Sequence, residues 1–376
     1  MTYIEHESDA LSYDVSLNEA EQQYPLPPSV LDVRHYRDPA QFDREIEQIF
    51  LQTWLPACPS GDLREPRDYV VFDELGQSVV LMRQDDGSVA AFHNVCQHRG
   101  ARLLDGPGHC PTGRIKCPWH GFVYDLQGRL DSVPLRDTFD EGELAGLRAP
   151  VVRVQEWLGW VWVTFAPDGP PLEEYLGKIG QELERYELDG YRVVFRETQT
   201  LEANWKIVVD AFNETWHVPF THKDTLGRLV MWRDAALKIE RPHSWMTLPL
   251  HGFTDSVASD DHQQKNICHY LAFPHTIFSC FPTHLQMWSA WPVSPQRTVL
   301  RAYQMMGPTP AGMTDERWAE QGDRDWRHFI RVLSEDVEVI NGLGAVIGSI
   351  GYRRNLFNTA ESRLTAFHDE VNRRAG

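Results

Sequence analysis

Apolar residues recur at two different periods along this chain, and the switches between them divide it. In PAQFDREIEQIFLQTW, Phe42, Ile46, Ile49 and Phe50 return on one side of a helix. From about residue 68 the spacing shortens to that of strands: YVVFDE, SVVLMR, VAAFHN, GFVYDL and VVRVQEWLGWVWVTF follow one another between turns rich in Gly, Asp and Asn. These runs predict a small antiparallel β domain, closed by the Pro-Gly cluster of FAPDGPPLEEY, which reads as a linker. The second half mixes both periods, with a helix over 172–186, the strand-like RVVFRETQTL, a helix from about 203, strands between 229 and 306 and a long helix from about 314. Helices segregated around antiparallel strands make the class α+β. The expected divisions are an N-terminal extension at 1–40, whose polar, Pro-containing start is expected to wrap or fray, a β domain with its leading helix at 41–167, and a second domain at 168–376.

Composition narrows the partners. With 376 residues, 42% of them hydrophobic, the chain can bury two ordinary cores. A formal charge of −18 repels nucleic acid and anionic lipid surfaces, leaving a small molecule or a protein as the expected partner. The opening MTYIEHESDALSYDV lacks both a basic and an apolar segment of a secretory signal, so the expected compartment is the cytoplasm. LGWVWVTFA, the longest apolar run, is far short of the roughly 20 residues a membrane span needs. Six cysteines in such a chain do not suggest a disulfide framework, and two stand beside histidines at ligand spacing.

Those two pairs are Cys96 and His98 in C-x-H, and Cys117 and His120 in C-x-x-H. A tetrahedral zinc site is one reading, but zinc sites usually bring cysteines as one pair and histidines as another. One cysteine and one histidine per knuckle suits a [2Fe–2S] cluster with two thiolates on one iron and two imidazoles on the other. The stretch resembles the Rieske motif, C-x-HRG-x-x-L followed by C-P-W-H-G-x-x-Y-D-x-x-G; the loop between the knuckles departs from it by an extra cysteine, Cys110, and by its length. Arg99, Arg102, Arg114 and Lys116 flank the ligands, either to steer an acidic electron donor or as ordinary salt bridges.

A second constellation lies in LEANWKIVVDAFNETWHVPFTHKD. At about 100° per residue, Ile207, Asp210, Ala211, Glu214 and His217 share one helical face, and Pro219 is expected to stop the helix near His217, letting His222 turn back toward it. A third ligand should be a carboxylate. On the long C-terminal helix, Trp326, Phe329, Ile330, Leu333, Val337 and Ile340 define an apolar face; Asp336 falls on it, whereas Glu335 and Glu338 point outward. An acid in a core stripe needs a partner or a metal. Two histidines and one carboxylate form the facial triad of non-haem Fe(II) oxygenases.

Together the two halves resemble the Rieske non-haem iron oxygenases, in particular the catalytic α-subunit of the ring-hydroxylating oxygenases, over about residues 40–376. The resemblance implies a Rieske [2Fe–2S] domain followed by a helix-grip (START/Bet v 1-like) catalytic domain. It carries Asn204-Trp205-Lys206, Glu214, His217, His222 and Ser334-Glu335-Asp336 onto the family pattern, with His217, His222 and Asp336 holding the mononuclear iron. Glu214 becomes the carboxylate bridging His217 to His98 or His120 of a neighbouring subunit, and Asp210 stands beside the iron where relatives vary. It further implies O2 as co-substrate, head-to-tail homotrimers with or without a small β subunit, and NAD(P)H-derived electrons delivered by a separate flavin reductase, with or without a ferredoxin. No dinucleotide fingerprint occurs in this chain, in keeping with a separate reductase.

The substrate is less legible. Phe212, Trp216, Phe220, Leu226, Met231, Phe278, Met287 and Trp288 are candidates to line an apolar pocket. Mono- or cis-dihydroxylation of an aromatic or other hydrophobic ring is the first reading, and oxidative demethylation of a quaternary amine or methoxy compound the second. A Rieske electron carrier without oxygenase activity and a zinc-stabilised binding module stay open at this stage.

Overall fold

The computed structural model describes residues 26–188, 190–251 and 265–376; the expectation for the first 25 residues lies outside them. The described part of the N-terminal segment does not fray. Ser29–Asp32 pairs antiparallel with Arg354–Phe357, and Tyr36 behind it is fully buried. Helix α1, Pro39–Gln48, then starts on an Asp38 cap with proline in its first turn, where a missing N–H costs nothing.

The first domain contains three small antiparallel sheets. Leu55–Pro59, Trp160–Thr164 and Arg153–Trp157 form one, and Asp68–Glu74, Gln77–Arg83 and Val89–His93 with the short Gly108–His109 form another. The third, Ile115–Lys116, Val123–Tyr124 and Leu130–Ser132, carries the second Cys-His knuckle at its tip.

The second domain is one seven-stranded antiparallel sheet in the order Arg192–Leu201, Arg297–Met306, Leu285–Ser294, Thr276–Cys280, Asn266–Ala272, His243–Pro249, Ala236–Glu240. Its inner strands from Leu285–Ser294 to His243–Pro249 are buried on both faces, so side-chain alternation there sends successive residues into different cores. Leu271, Ile277, Trp288 and Ala290 face α3 (Trp205–Ala211), α4 (Asp315–Val346) and α5 (Ser362–Ala375). Tyr270, Phe278 and Met287 face the other way, with α2 (Leu172–Glu184) and with Trp160 and Trp162 of the first domain.

The two domains share their core. Leu55, Phe72, Val79 and Leu81 from the first pack in one cluster with Trp291 and Leu300 from the second. A buried ion pair reinforces the seam: Lys206 Nζ on α3 lies 2.6 and 2.7 Å from the carboxylate oxygens of Glu45 on α1, and Trp205 Nε1 donates to the same carboxylate at 2.8 Å. No helix among the described residues is long and apolar enough to cross a membrane.

Candidate electron-entry and metal sites

The two knuckles are built alike. Cys96 N–H donates to Ala101 O and Cys117 N–H to Phe122 O, both at 2.7 Å, while the carbonyls of Cys96 and Cys117 accept from Gly100 and Gly121. Each glycine has φ +74°, the left-handed region that favours glycine, which is why CQHRG and CPWHG both end on one. The paired turns bring the imidazoles of His98 and His120 to a centroid separation of 4.6 Å, with His98 stacked on Phe122. Both cysteines are buried, and His98 Nδ1 is a buried nitrogen without a hydrogen-bond partner among the described residues. Burial, then the neighbouring His120 and Arg99, hold the His98 pKa below its ordinary value, favouring the neutral imidazole. Two thiols, two imidazoles and an unpartnered Nδ1 fit a [2Fe–2S] cluster. Tyr124 adds a polar neighbour, its hydroxyl 3.3 Å from Cys96 Sγ and accepting from Gln97 N–H at 2.9 Å.

Around the tip, Arg102 pairs with Asp73 and Asp105, and Arg114 with Asp131, so for these two the salt-bridge reading stands. Arg99 lies 4.4 Å over the ring of Trp119, which is 54% exposed. The extra Cys110 is buried, with Sγ directed at Arg114 O, and closes the loop rather than joining the ligand set.

The second site departs from expectation in its helix. α3 is capped by Asn204, whose side chain accepts from Lys206 N–H, and ends at Ala211, not near His217. His217 instead precedes a separate one-turn helix, Val218–Thr221. Pro219 in its first turn starts this helix, because a first-turn residue needs no N–H acceptor. Between the two helices Glu214 folds back: one carboxylate oxygen takes the His217 backbone N–H at 3.1 Å and the other meets His217 Nδ1.

His222, 1% exposed at its side chain, lies with Nε2 2.9 Å from Asp336 Oδ1, and His217 Nε2 lies 3.8 Å from the same oxygen. Ligand atoms from His217, His222 and Asp336 all fall within 4.8 Å of one another. Ligands about 2 Å from a common ion stand about 3 Å apart, so the three fit one metal ion after small adjustments. Burial alone would lower both histidine pKa values. Glu214 and Asp336 outweigh it at His217, and Asp336 and Glu335 at His222, so both are raised.

Glu335 corrects another expectation. It does not point away but accepts from His222 Nδ1 at 2.7 Å and Thr225 Oγ1 at 2.6 Å. The break after α3 places His222 beside α4, where two consecutive acids reach it, one at each ring nitrogen. The only signal in the sequence was the adjacency of the two acids in SED. Asp210 meets none of the three candidate ligands; it accepts from Tyr36 Oη at 2.7 Å and pairs with His368 Nε2 at 2.9 Å. Tyr36 and His368 had no sequence signal, since they come from opposite ends of the chain.

Two cavities meet at this site. One, of about 740 Å3, is lined by Asp210, Glu214, His217 and Asp336 on one side and by Leu343, Val346 and Leu356 on the other. A smaller one, of about 70 Å3, lies toward the sheet and is walled by Phe212, Leu226, Met246, His269 and Trp288. Of the pocket residues expected from the sequence, Phe212, Leu226 and Trp288 line it. Phe278 and Met287 belong to the opposite sheet face, and Trp216 and Phe220 are exposed.

Comparison with known proteins agrees with this layout. Residues 53–151 match the family described as Rieske [2Fe-2S] domain, and residues 183–376 that described as Ring hydroxylating alpha subunit (catalytic domain). The carnitine monooxygenase oxygenase subunit of Escherichia coli (strain K12) is 30% identical over 194 residues, 51% of this chain and 52% of the relative. The naphthalene 1,2-dioxygenase system large oxygenase component of Pseudomonas aeruginosa is 32% identical over 200 residues, 50% of this chain and 43% of the relative. The chain thus spans about half the length of the curated relatives it matches. The crystal structure of the quaternary ammonium Rieske monooxygenase CntA with L-carnitine superposes with TM-score 0.77 at 20% identity, covering 92% of this chain and 95% of that one.

Proposed function

Because the chain belongs to the ring-hydroxylating α-subunit family and carries a Rieske [2Fe–2S] domain ahead of its catalytic domain, we propose that it is the terminal oxygenase of a multi-protein system. It would use O2 and NAD(P)H-derived electrons, received from a flavin reductase with or without a ferredoxin, to hydroxylate a small hydrophobic substrate. The observation that carries this reading is the convergence of His217, His222 and Asp336 beside a largely apolar cavity. His217, His222 and Asp336 would hold an Fe(II) that supplies one-electron redox chemistry, and Cys96, His98, Cys117 and His120 would hold the cluster that supplies electrons.

The chain's own residues prepare that chemistry. Glu214 and Glu335 each accept a hydrogen bond from the Nδ1–H of a histidine, which would leave the two Nε2 lone pairs for the ion and fixes both rings. Glu214 also lines the larger cavity, whose rim exposes Leu343, Val346 and Leu356. That rim and the exposed side chains of Trp119 and Leu135 suit one another as apolar surfaces. In the proposed head-to-tail homotrimer the tip of one copy enters the cavity of the next, and Glu214 links His217 to the neighbour's His98 or His120.

Phe212 and Trp288, 4.5 Å apart on the smaller cavity's wall, suit an aromatic or other apolar ring. The same aromatic pair also suits a quaternary ammonium, and the carnitine relative favours this second reading. The test is reductase-dependent O2 uptake by the iron-loaded protein against ring compounds and quaternary amines. An intact, reducible cluster with no uptake on any of them leaves an electron carrier and sinks the oxygenase reading.

A further inference from the structure

Of the residues that line the small cavity beside the candidate metal ligands, two keep a buried nitrogen without a hydrogen-bond partner among the described residues: Trp288 at Nε1 and His269 at Nε2. They are 8% and 6% exposed. The hydroxyls on the same wall are engaged, Thr215 Oγ1 with Trp232 O and Ser279 Oγ with His269 Nδ1. An indole N–H can only donate, and a buried one normally finds an acceptor. Two such groups on a largely apolar wall point to a ligand atom that accepts.

The sheet holds the two together. His269 stands opposite Ser279, Ser279 opposite Gln286, and Trp288, two residues beyond Gln286, points to the same side. Their rings meet edge to face, 5.3 Å apart. Each is fixed from another direction: Trp288 stacks on Phe329 of α4, and the Ser279 bond at Nδ1 leaves Nε2 on the free edge of the imidazole. Burial first, then Arg363, lowers the His269 pKa to about 3 against the opposing influence of the Phe212 carbonyl, so the ring is neutral near pH 7. An uncharged oxygen is the matching ligand, because neither donor carries a charge that would offset the dehydration of a carboxylate.

We propose that Trp288 Nε1–H and His269 Nε2–H are the polar anchor of the substrate pocket and take an uncharged ether or carbonyl oxygen of the substrate, holding its apolar body against the faces of Phe212 and Trp288 beside the metal ligands. This deepens the oxygenase reading and rests on it. In this arrangement Ser279 Oγ–H donates to Nδ1, and neutral His269 carries its proton on Nε2. The anchor only binds: neither residue makes or breaks a bond of the substrate. A hydrocarbon of the same shape would leave both N–H groups buried and unpaired, and would bind less well for that reason.

The experiment is isothermal titration calorimetry on the iron-loaded holoenzyme with isosteric ligands, anisole against ethylbenzene and acetophenone against α-methylstyrene. Once corrected for octanol–water partition, the oxygen compound of at least one pair should bind about tenfold tighter than its hydrocarbon. The pair that responds tells an ether from a carbonyl. W288F, which keeps a ring and removes the N–H, and H269N, whose amide reaches Ser279 but not the place of Nε2, should each cut that preference by about threefold or more. H269Q, whose amide does reach the place of Nε2, should retain more of it than H269N. Equal binding within both pairs, as when the two N–H groups hold only water, overturns the anchor. So does a failure of all four compounds to bind, a preference that outlasts either W288F or H269N, or an H269Q no better than H269N. Should W288F fail to fold, the comparison of H269N with H269Q decides alone. O2 uptake stimulated by the hydrocarbons without an oxygen preference keeps the oxygenase reading and removes the anchor. An oxygen preference without uptake does the reverse.

Discussion

Glu335 and Asp336 are neighbours on one helix yet serve opposite nitrogens of the same imidazole. Replacing the outer acid by its amide keeps the shape and removes the charge that orients His222. E335Q is expected to weaken iron binding by roughly 10- to 100-fold, read by competition with a chelator, while the cluster's visible absorbance stays intact. D336A should lose the mononuclear iron altogether and retain the cluster; retention of the mononuclear iron would remove Asp336 from the ligand set. Glu361 offers a separate check. Burial, then the nearby Glu214 and Asp210, raise its carboxyl to about 7 against its Asn358 N–H bond. A carboxyl whose pKa is higher folded than unfolded withdraws stability as pH climbs from about 4.5 through about 7. E361Q, which still offers Asn358 an oxygen, should therefore match the parent's melting temperature near pH 5 and exceed it near pH 8, by roughly 1 kcal/mol after solvent screening. An equal offset at both pH values would contradict the raised carboxyl.

At the scale of elements, the candidate ligands were legible because their spacing is chemical, whereas their neighbours are set by tertiary contacts. Asp336 could be read from the 3.6-residue stripe that also contains Leu333 and Ile340, and all three are buried. Glu335 could not, since a helical wheel does not show that His222 has left α3 and come to rest against α4. Pro219 was read as a stop when it is a start, because proline suits a first turn as well as it ends a last one. Phe278 and Met287 were misplaced for a similar reason: in a sheet buried on both sides, hydrophobicity does not tell one face from the other. Where α4 comes down on the start of α3, the approach is close. Glu202 N–H donates to Asn341 Oδ1 at 2.9 Å, and a Cβ on Gly344 would stand 1.9 Å from the Glu202 carbonyl oxygen. G344A should accordingly cost about 2 kcal/mol in urea unfolding, and an unchanged midpoint would show that the helix yields there without penalty.

For the molecule as a whole, the apolar rim of the larger cavity is too extensive to be incidental, with Leu356 67% and Val346 61% exposed and Ile350, between the lining residues Ser349 and Gly351, 90% exposed. Introducing charge there, as L343E with I350E, is expected to yield smaller assemblies in sedimentation while leaving each cluster reducible by dithionite. Unaltered assembly would relocate the contact. The shared core described above, sealed by Glu45 and Lys206, has a related outcome. With the two halves packed in one core, the spacing within one copy between the Cys-His knuckles and the His217, His222 and Asp336 set is fixed, and in the proposed trimer electrons would pass from one copy to the next. Two crippled parents, one lacking the relay and the other lacking the ferrous ligands, should then recover turnover when reassembled together, although neither works alone.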